Sequence, residues 1–474
     1  MSARTKTIWT FAITSVALFM AMLDNLVVTN ALPVIRTDLG ASIEDLEWTV
    51  NAFTLTFAVF LLTGAALGDR FGRRRLFALG LGIFTAASVA AALAPSVEAL
   101  VLARAAQGVG GAIVTPLTLT ILSAAVPADK RGLAFGAWGA VGGLAVASGP
   151  LVGGAVVEGV SWQWIFWLNV PIGLALIPLA LTRLDESYGP RRRLDLPGLA
   201  LASTGLFGIV WGVVRGNAEG WASGEILTSL ALGTLLTTAF VLWELRARAP
   251  MLPMRFFRER AFAAANAASL FMFFGMFGSI FLLAQFLQTV QGYSPLDAGL
   301  RILPWTAMPI FVAPIAGALS DRIGGRPIMA TGLALQAAGL GWLAAVSTPD
   351  VAYATLVPAF VVSGMGMALF FAPVANVVLS SVLPREQGQA SGANNAIREL
   401  GGVFGVAVLA SVFSSYGGYE SGTTFVDGLG PAVWAGAAVV ALGALAALLI
   451  PRRGGPAEAG AGELVPATAT EPAA

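Results

Sequence analysis

The chain contains no cysteine and no histidine among its 474 residues. Their absence excludes disulfides, thiolate and imidazole metal sites, and any reaction that needs a catalytic Cys or His. Charge is also scarce: 11% of the residues are Asp, Glu, Lys or Arg, and the formal net charge is +1. So small a positive charge, spread along the chain, does not indicate a nucleic-acid partner. We expect no metal and no cofactor.

Apolar residues, by contrast, make up 57% of the chain, more than in an ordinary soluble protein. Stretches of roughly 18 or more residues that are nearly free of charge recur throughout, and each could cross a bilayer core of about 30 Å as a helix. We predict an all-α integral membrane protein with fourteen transmembrane helices. Their approximate limits are residues 8–30, 48–68, 76–94, 98–122, 133–157, 163–182, 196–214, 226–244, 262–286, 298–319, 328–346, 354–382, 394–415 and 431–450.

The distribution of Lys and Arg supports an even number of spans. With the N-terminus inside, 22 of the 27 Lys and Arg residues fall in internal segments. Cytoplasmic segments are expected to retain positive charge in this way, and an odd number of spans would remove the asymmetry. We therefore expect a multi-pass protein of the cell membrane with both termini in the cytoplasm, and an uncleaved first helix.

A short charged motif occurs twice, each time between two long apolar stretches. It reads Gly-Asp-Arg-Phe-Gly-Arg-Arg-Arg at 68–75 and Ser-Asp-Arg-Ile-Gly-Gly-Arg at 320–326. Two related halves, each with a cationic turn after its second helix, indicate a duplicated transporter. The predicted division is an N-terminal six-helix half at 1–182, linkers and an inserted two-helix hairpin at 183–261, a C-terminal six-helix half at 262–451, and a disordered tail at 452–474.

Three further motifs stand in order along the N-terminal half. Span 1 reads Leu-Asp-Asn-Leu-Val-Val-Thr-Asn-Ala-Leu-Pro at 23–33, span 4 reads Arg-Ala-Ala-Gln-Gly-Val-Gly-Gly at 104–111, and span 5 reads Gly-Pro-Leu-Val-Gly-Gly at 149–154. Together with the charged turns, they resemble the major facilitator superfamily, specifically its fourteen-span drug:proton antiporter branch. A typical stretch, Ser-Trp-Gln-Trp-Ile-Phe, also follows at 161–166. The chain departs from the pattern at Ala65, where the turn motif usually has glycine, and at Gln163 of this stretch, where arginine is common. The resemblance implies a major facilitator fold with two pseudo-symmetric six-helix halves plus the inserted hairpin.

Asp24 is the candidate for proton coupling. A proton-driven pump needs an internal group that changes protonation, and with no histidine present that group must be a carboxylate. Asp24 lies about 9 Å along the helix from Asn30 at the outer end of span 1. Charged groups inside membranes are costly and usually functional. A structural, hydrogen-bonding role for Asp24 is the alternative.

Arg104 lies at a similar depth in span 4. It does not lose its proton, so it can act only on a neighbour's charge or bind an anion. We predict that Arg104 holds Asp24 ionised until substrate or a conformational change weakens their coupling. Gln107, one turn further on, could orient water or the guanidinium. Structural contact between Arg104 and backbone carbonyls is the alternative.

The resemblance implies further roles for the charged turns and for span 5. The turn residues would lock the outward-facing state at the cytoplasmic face; orientation by positive charge alone is the alternative. These residues are Asp69, Arg70, Gly72 and Arg73, with Asp321 and Arg322 in the second copy. The antiporter motif of span 5 offers no side-chain donors, so we expect it to bend the helix and to pack closely against the other half. Its residues are Gly149, Pro150, Gly153 and Gly154.

Substrate recognition is expected from apolar and aromatic residues around a central cavity, with a few polar groups. The polar candidates are Asn30, Asn51, Gln285, Gln288 and Asn376. Near the cytoplasmic end of span 13, Arg398 and Glu399 are predicted to form an ion pair with a structural or gating role.

The sequence therefore favours a proton-coupled antiporter, not an enzyme, that exports hydrophobic or amphipathic drugs or antibiotics by alternating access. Its expected partners are lipophilic small molecules, protons and membrane lipid, and we expect a monomer. A nutrient symporter is one alternative, which the antiporter motif and Asp24 disfavour. A membrane-bound enzyme would need a reactive cluster at one membrane face. A flippase for lipids or cell-envelope precursors on the same fold stays open.

Overall fold

The structure is a computed structural model that describes residues 3–126, 131–188, 195–383 and 386–451. Every long element in these ranges is an α-helix. The helices are α1 (Ala3–Leu39), α2 (Ile43–Phe71), α3 (Arg73–Ala92), α4 (Val97–Ala125), α5 (Arg131–Gly159), α6 (Trp164–Trp167), α7 (Asn169–Arg183), α8 (Leu196–Glu219), α9 (Gly224–Glu244), α10 (Arg260–Gln285), α11 (Pro295–Thr306), α12 (Met308–Ile323), α13 (Gly325–Val346), α14 (Tyr353–Ser380), α15 (Gln387–Tyr416) and α16 (Gly422–Leu448). The predicted tail at 452–474 lies outside the described residues.

The described part has twelve helices long and apolar enough to cross a membrane, or thirteen when α2 is counted as one bent span. Helix α2 bends by 50° between Leu61 and Thr63. The all-α, multi-pass architecture is therefore confirmed, whereas the count of fourteen stays a prediction. The span predicted at 133–157 falls on α5, where several side chains lie outside the described set.

Two of the predicted spans are each divided into two helices. The span predicted at 298–319 breaks at Ala307, between α11 and α12. Pro309 follows the break, and it lacks the N–H that would continue the hydrogen-bond ladder into the preceding turn. The span predicted at 163–182 divides at Leu168, just before Pro171 in α7. Proline therefore accounts for both interruptions, which hydropathy alone did not reveal.

The first six spans pack through small residues. Helices α2 and α3 both pack on α4, and α1 packs on α5. A Cβ atom built on Gly110 of α4 would lie 2.6 Å from the backbone nitrogen of Phe84 in α3. One built on Gly64 of α2 would lie 2.9 Å from the Cα atom of Ile113 in α4. Glycine is thus required where these backbones touch, as is usual for helices that associate in lipid.

The last six spans repeat this pattern of contacts. Helices α12 and α13 pack on α14, and α10 packs on α15. The two groups meet where α5 packs on α11 and where α2 packs on α15. These two contacts are equivalent, since each joins the fifth span of one group to the second span of the other. Helices α8 and α9 pack on each other, and α8 lies against both α2 and α15.

The two charged motifs form turns of the same kind at one end of the bundle. Gly72, between α2 and α3, has a φ of 107°, and Gly324, between α12 and α13, has a φ of 86°. Both values lie in a region that only glycine adopts readily. We call this end of the bundle the turn end, and the other end the opposite end. The repeat seen in the sequence is thus also a repeat of backbone conformation.

Candidate functional site

Asp24 is buried in the N-terminal six-helix group, with 1% of its surface exposed. Arg104 of α4 is fully buried, and its Nη1 atom donates to Asp24 Oδ2 at 2.5 Å. Gln107, one turn along α4, donates from Nε2 to Asp24 Oδ1 at 3.3 Å and accepts from Arg104 Nη1 at 3.0 Å. The structure therefore brings the three residues predicted for proton coupling into one cluster.

Two further residues extend the hydrogen-bonded cluster, and one of them bonds the carboxylate directly. Asn169, at the start of α7, donates from Nδ2 to Asp24 Oδ1 at 2.6 Å. Ser88 of α3 accepts from Gln107 Nε2 at 2.8 Å. No role was predicted for either residue. Their polarity within apolar spans was the available signal, because a buried polar group in a membrane helix needs a partner.

Groups other than the carboxylate also hold the Arg104 guanidinium in place. Its Nε atom donates to the backbone oxygen of Thr49 in α2 at 3.2 Å. The centre of the Phe53 ring lies 4.4 Å from the guanidinium carbon, and that of Phe166 lies 5.8 Å away. A proton arriving at Asp24 would remove one of the two charges and leave the other buried without a counter-charge. Such a change is energetically large, so this cluster can couple protonation to helix position.

A cavity of about 1900 Å³ lies between the two six-helix groups and reaches the turn end. Asp69 and Arg73 line it at the turn end, and the wall includes Asn25 and Leu26 of α1. The residue next to Asp24 in the chain thus faces the cavity, while the Asp24 side chain points into the helix group. Any movement of α1 would therefore affect both the cavity wall and the buried ion pair.

The other wall of the cavity is aromatic and bears two charged residues. Phe273, Phe371, Arg398 and Glu399 all line the cavity. The Arg398 guanidinium carbon lies 4.3 Å from the ring centre of Phe273 and 5.3 Å from that of Phe371. Arg398 and Glu399 form no salt bridge in this described region, although their charges attract each other, so the predicted structural or gating role stays a prediction. The arginine instead stacks on aromatic rings, an arrangement that stabilises a cation.

The five polar residues predicted to face the cavity do not line it in this conformation. Asn30 donates from Nδ2 to the Pro150 oxygen at 2.6 Å, and Gln288 donates to the Asn30 oxygen at 3.0 Å. Gln285 is buried and accepts a hydrogen bond from Tyr419. Polar side chains in membrane helices can bond neighbouring backbone, and these three do so or bond another side chain.

The remaining two candidates lie elsewhere. Asn51 is fully buried in α2, on the turn-end side of the Arg104 contact at Thr49. Asn376 lines a separate cavity of about 890 Å³ at the turn end, beside Gly324 and Arg326. None of the five residues therefore lines the central cavity in this conformation, and their role in substrate binding stays a prediction. Polarity within a span identified buried groups, but it did not indicate which way each helix face points.

The glycine-rich motif of α5 packs against both groups of helices. Cβ atoms built on Gly149 and Gly153 would lie 2.6 Å from Leu26 Cβ and 2.8 Å from the Val27 oxygen of α1. One built on Gly154 would lie 2.6 Å from the Cα atom of Leu296 in α11, across the interface. Nearby, Glu158 Oε2 accepts from the Leu296 N–H at 3.1 Å. The opposite end is thus closed by close backbone contact.

The first charged turn is tied to its own half. Asp69 Oδ1 and Arg73 Nη2 form an ion pair at 2.8 Å. The Arg73 N–H donates to the Ser187 oxygen at 2.9 Å, and the Arg74 N–H donates to Glu186 Oε1 at 2.9 Å. These bonds fix the turn to the segment after α7. They do not cross to the other group of helices.

Arg70 and Arg322 are exposed beside the two turns, and the Arg70 guanidinium carbon lies 5.3 Å from the Phe71 ring centre. Asp321 belongs to α12, and its side chain lies outside the described set. The gating role of the turn residues stays a prediction.

Comparison with known proteins identifies the family. A family model described as Major Facilitator Superfamily matches residues 14–406 and 267–470. The chain belongs to the Major Facilitator Superfamily. Members of this superfamily are transporters, so the chain is a membrane transporter and not an enzyme.

Two relatives named for drug resistance are similar over most of the chain. Multidrug resistance protein Stp of Mycobacterium tuberculosis (strain CDC 1551 / Oshkosh) is 36% identical over 409 residues, which cover 86% of this chain and 76% of the relative. The tetracenomycin C resistance and export protein of Streptomyces glaucescens is 35% identical over 403 residues, covering 85% and 75%. The superfamily expected from the sequence is confirmed, whereas the fourteen-span branch stays a prediction.

Solved structures show the same fold at low sequence identity. A bacterial homologue of the human lysosomal transporter Spinster superposes with a TM-score of 0.66 at 18% identity, covering 94% of this chain and 97% of the other. This likeness concerns the fold alone.

Proposed function

We propose that this superfamily member is a proton-coupled antiporter of the fourteen-span branch that exports hydrophobic or amphipathic drugs or antibiotics. Support comes from relatives named for multidrug resistance and for tetracenomycin C resistance and export. The large cavity supports it too, since apolar walls with a few polar groups accept varied ligands. The turn end is assigned to the cytoplasm of a cell-membrane protein, because basic residues gather there.

The observation on which this proposal rests is the buried Asp24–Arg104 pair next to the cavity wall. A fully buried ion pair is costly to desolvate, so stability alone gives little reason for it. Asp24 can gain or lose a proton, whereas Arg104 keeps its charge. The pair can therefore exist with Asp24 charged or neutral. It lies beside the substrate path, because Asn25, the next residue in the chain, lines the cavity.

The proposed cycle begins in the conformation described here, with the cavity open to the cytoplasm. Substrate enters between Leu26 on one wall and the Phe273 side on the other. Its binding and the closing of the turn end move α1, and the opposite end opens. A proton from outside then neutralises Asp24, substrate leaves, and the return to the first conformation releases the proton inside. Each ligand shifts the equilibrium only through its different affinity for the two states.

The charged turns are proposed to hold the other conformation. Asp69 and Arg73 line the turn end of the open cavity and pair only within their own turn. Closing this end would bring them against the C-terminal helices, where new contacts could stabilise the outward-facing state. A few kcal/mol between two states is enough to set their populations.

The decisive experiment is uptake into inverted membrane vesicles under an imposed pH gradient. A panel of lipophilic dyes and antibiotics should be taken up by wild type when the vesicle interior is acidic. Asp24→Asn should abolish the gradient dependence, while Ser148→Ala, a change at a partly exposed hydroxyl bonded only within α5, should not. Uptake that ignores the gradient would contradict antiport. Translocation of a labelled lipid with no uptake of any drug would instead favour a flippase.

A further inference from the structure

A second buried carboxyl group lies in α2, close to the opposite end. Glu47 is 1% exposed, and its Oε2 atom has no hydrogen-bond partner among the described residues. Asn51, one helical turn further on, is fully buried, and both its amide oxygen and its amide nitrogen lack partners in the same set. Leaving such groups unpaired is expensive, and far more so when one of them is charged. The span limit predicted at residue 48 placed Glu47 outside the membrane, so no role was predicted for it.

The surroundings of Glu47 offer no compensating positive charge. Tyr419, in the loop between α15 and α16, belongs to the other half and lies within electrostatic range of Glu47. Burial raises the pKa of the Tyr419 phenol, an effect that Arg36 opposes and Glu47 reinforces. Arg36 itself stacks on Tyr419, with its guanidinium carbon 3.8 Å from the ring centre, and forms no ion pair with Glu47 in this described region.

The other charged groups near this part of α2 are also engaged or of the same sign. Glu44 lies on the same helix and is partly exposed, with Arg215 of α8 3.8 Å from its carboxylate. Asp45 accepts from the Ser42 N–H at the start of α2 at 2.8 Å. On α4, Arg104 is paired with Asp24. Glu47 is therefore a carboxyl group that is buried at the closed opposite end without a positively charged partner among the described residues.

Glu47 is also connected through the backbone to the proton-coupling cluster. Arg104 Nε donates to the backbone oxygen of Thr49, which lies between Glu47 and Asn51 on α2. The guanidinium thus holds Asp24 with one nitrogen and this segment of α2 with another. Glu47 lies about 6 Å along the helix from Ile43, the first residue of α2 at the opposite end.

We propose that Glu47 is a second proton-binding site, which must bind a proton for the opposite end to close and loses it when that end opens. The proton comes from water on the opposite side and returns there, so this site sets how external pH biases the two conformations. Closed, the carboxyl group is neutral and sealed between α2 and the α15–α16 loop. Open, it is hydrated and ionised. The inference rests on the proposed alternating-access function, and it adds a pH dependence that Asp24 does not supply.

Spin-label distances at the opposite end provide the test. The chain has no cysteine, so Thr37→Cys and Thr348→Cys, two exposed positions on the two halves, can be labelled specifically. The measurement is made in the Asp24→Asn background, which removes the first site. The ratio of open to closed molecules should rise with pH by up to about tenfold per unit, the limit for one proton. Glu47→Gln, neutral at every pH, should stay closed throughout.

The matched control is Glu44→Gln, the same change one turn away on the same helix, which should keep the pH dependence. A carboxyl infrared band that disappears at high pH and is missing in Glu47→Gln would support the proposal without depending on the labels. An unchanged pH dependence in Glu47→Gln, or no such band in wild type, would overturn it. Neither readout requires drug transport. A protein that exports no drug would therefore contradict the proposed function, while the spin-label and infrared results would still decide the role of Glu47.

Discussion

Replacing Asp24 with asparagine removes a charge on which three side chains converge. The carboxylate accepts from Arg104 at 2.5 Å, from Asn169 at 2.6 Å and from Gln107 at 3.3 Å. An asparagine offers one acceptor oxygen and one NH₂ group, so at least one of these donors would face another donor. The Arg104 charge would then be buried without a counter-charge. Removing one partner of a buried pair costs roughly 3–5 kcal/mol, and we expect Asp24→Asn to lose stability in that range.

A double-mutant cycle separates the ion pair from the individual side chains. Arg104→Gln should cost a similar amount, because it leaves the Asp24 charge buried and unpaired. The double variant Asp24→Asn/Arg104→Gln leaves neither charge, so its loss of stability should be no larger than that of either single variant. Unfolding midpoints of the purified protein in detergent or lipid measure the three differences. Additive costs would show that the pair is not energetically coupled, whatever its geometry.

Transport measured on the same variants separates stability from proton coupling. Restoring stability in the double variant should not restore export driven by a pH gradient, because the carboxyl group is missing. Ser88→Ala is the control, since it keeps both charges and removes the hydroxyl that accepts from Gln107 at 2.8 Å and from Asn169 at 3.4 Å. It should cost about 1 kcal/mol and keep gradient-driven export. Wild-type pH dependence of export in Asp24→Asn would refute the proposed role of this residue.

Two glycine substitutions give further predictions. Gly154→Ala places a methyl group 2.6 Å from Leu296 Cα across the interface, so it should shift the spin-label distances at the opposite end toward the open state. Gly159→Ala, on the same helix with no atom within 4 Å, should leave the distances unchanged, and equal effects of the two would contradict the closure assigned to this motif. Gly72→Ala forces a side chain into a φ of 107° and should lower the unfolding midpoint by an amount equivalent to about 1–3 kcal/mol. Gly82→Ala, which meets nothing within 4 Å in α3, should stay near wild type.

Much of the fold followed from local pattern. Long apolar runs and the repeated turn motif predicted membrane helices and a duplicated chain, because hydropathy and glycine conformation act over a few residues. The break at Ala307 was missed, although Pro309 indicated it. Apolar length alone cannot distinguish one straight helix from two shorter ones in line. The start of α2 at Ile43, several residues before the predicted limit, was missed because Glu44, Asp45 and Glu47 reduce the apolar character of its first turns.

The sequence could predict contacts in the site only between residues whose depth in the membrane was enough to pair them. Asp24 and Arg104 were paired because both lie about two turns from the same surface, and the structure places them in contact. The partners Asn169 and Thr49 come from other helices. Their approach depends on how each helix is rotated about its own axis, and no short-range pattern fixes that rotation. The same limit applies to the five polar cavity candidates, none of which lines the cavity in this conformation.

The two ends of the molecule differ in what could make their closure depend on pH. Across the interface at the opposite end, Gly154 and Leu296 meet through backbone, and the Glu158 carboxylate accepts a hydrogen bond from the Leu296 N–H. Glu158 is exposed and accepts this bond as a carboxylate, so closure does not require its protonation, and a proton requirement must come from carboxyl groups that closure buries. Asp24 has Arg104 as a counter-charge in the closed state, so closure does not require its protonation. Glu47 has no such partner among the described residues. External pH should therefore act on closure chiefly through Glu47. Asp24, by contrast, is held as a carboxylate by its ion pair with Arg104.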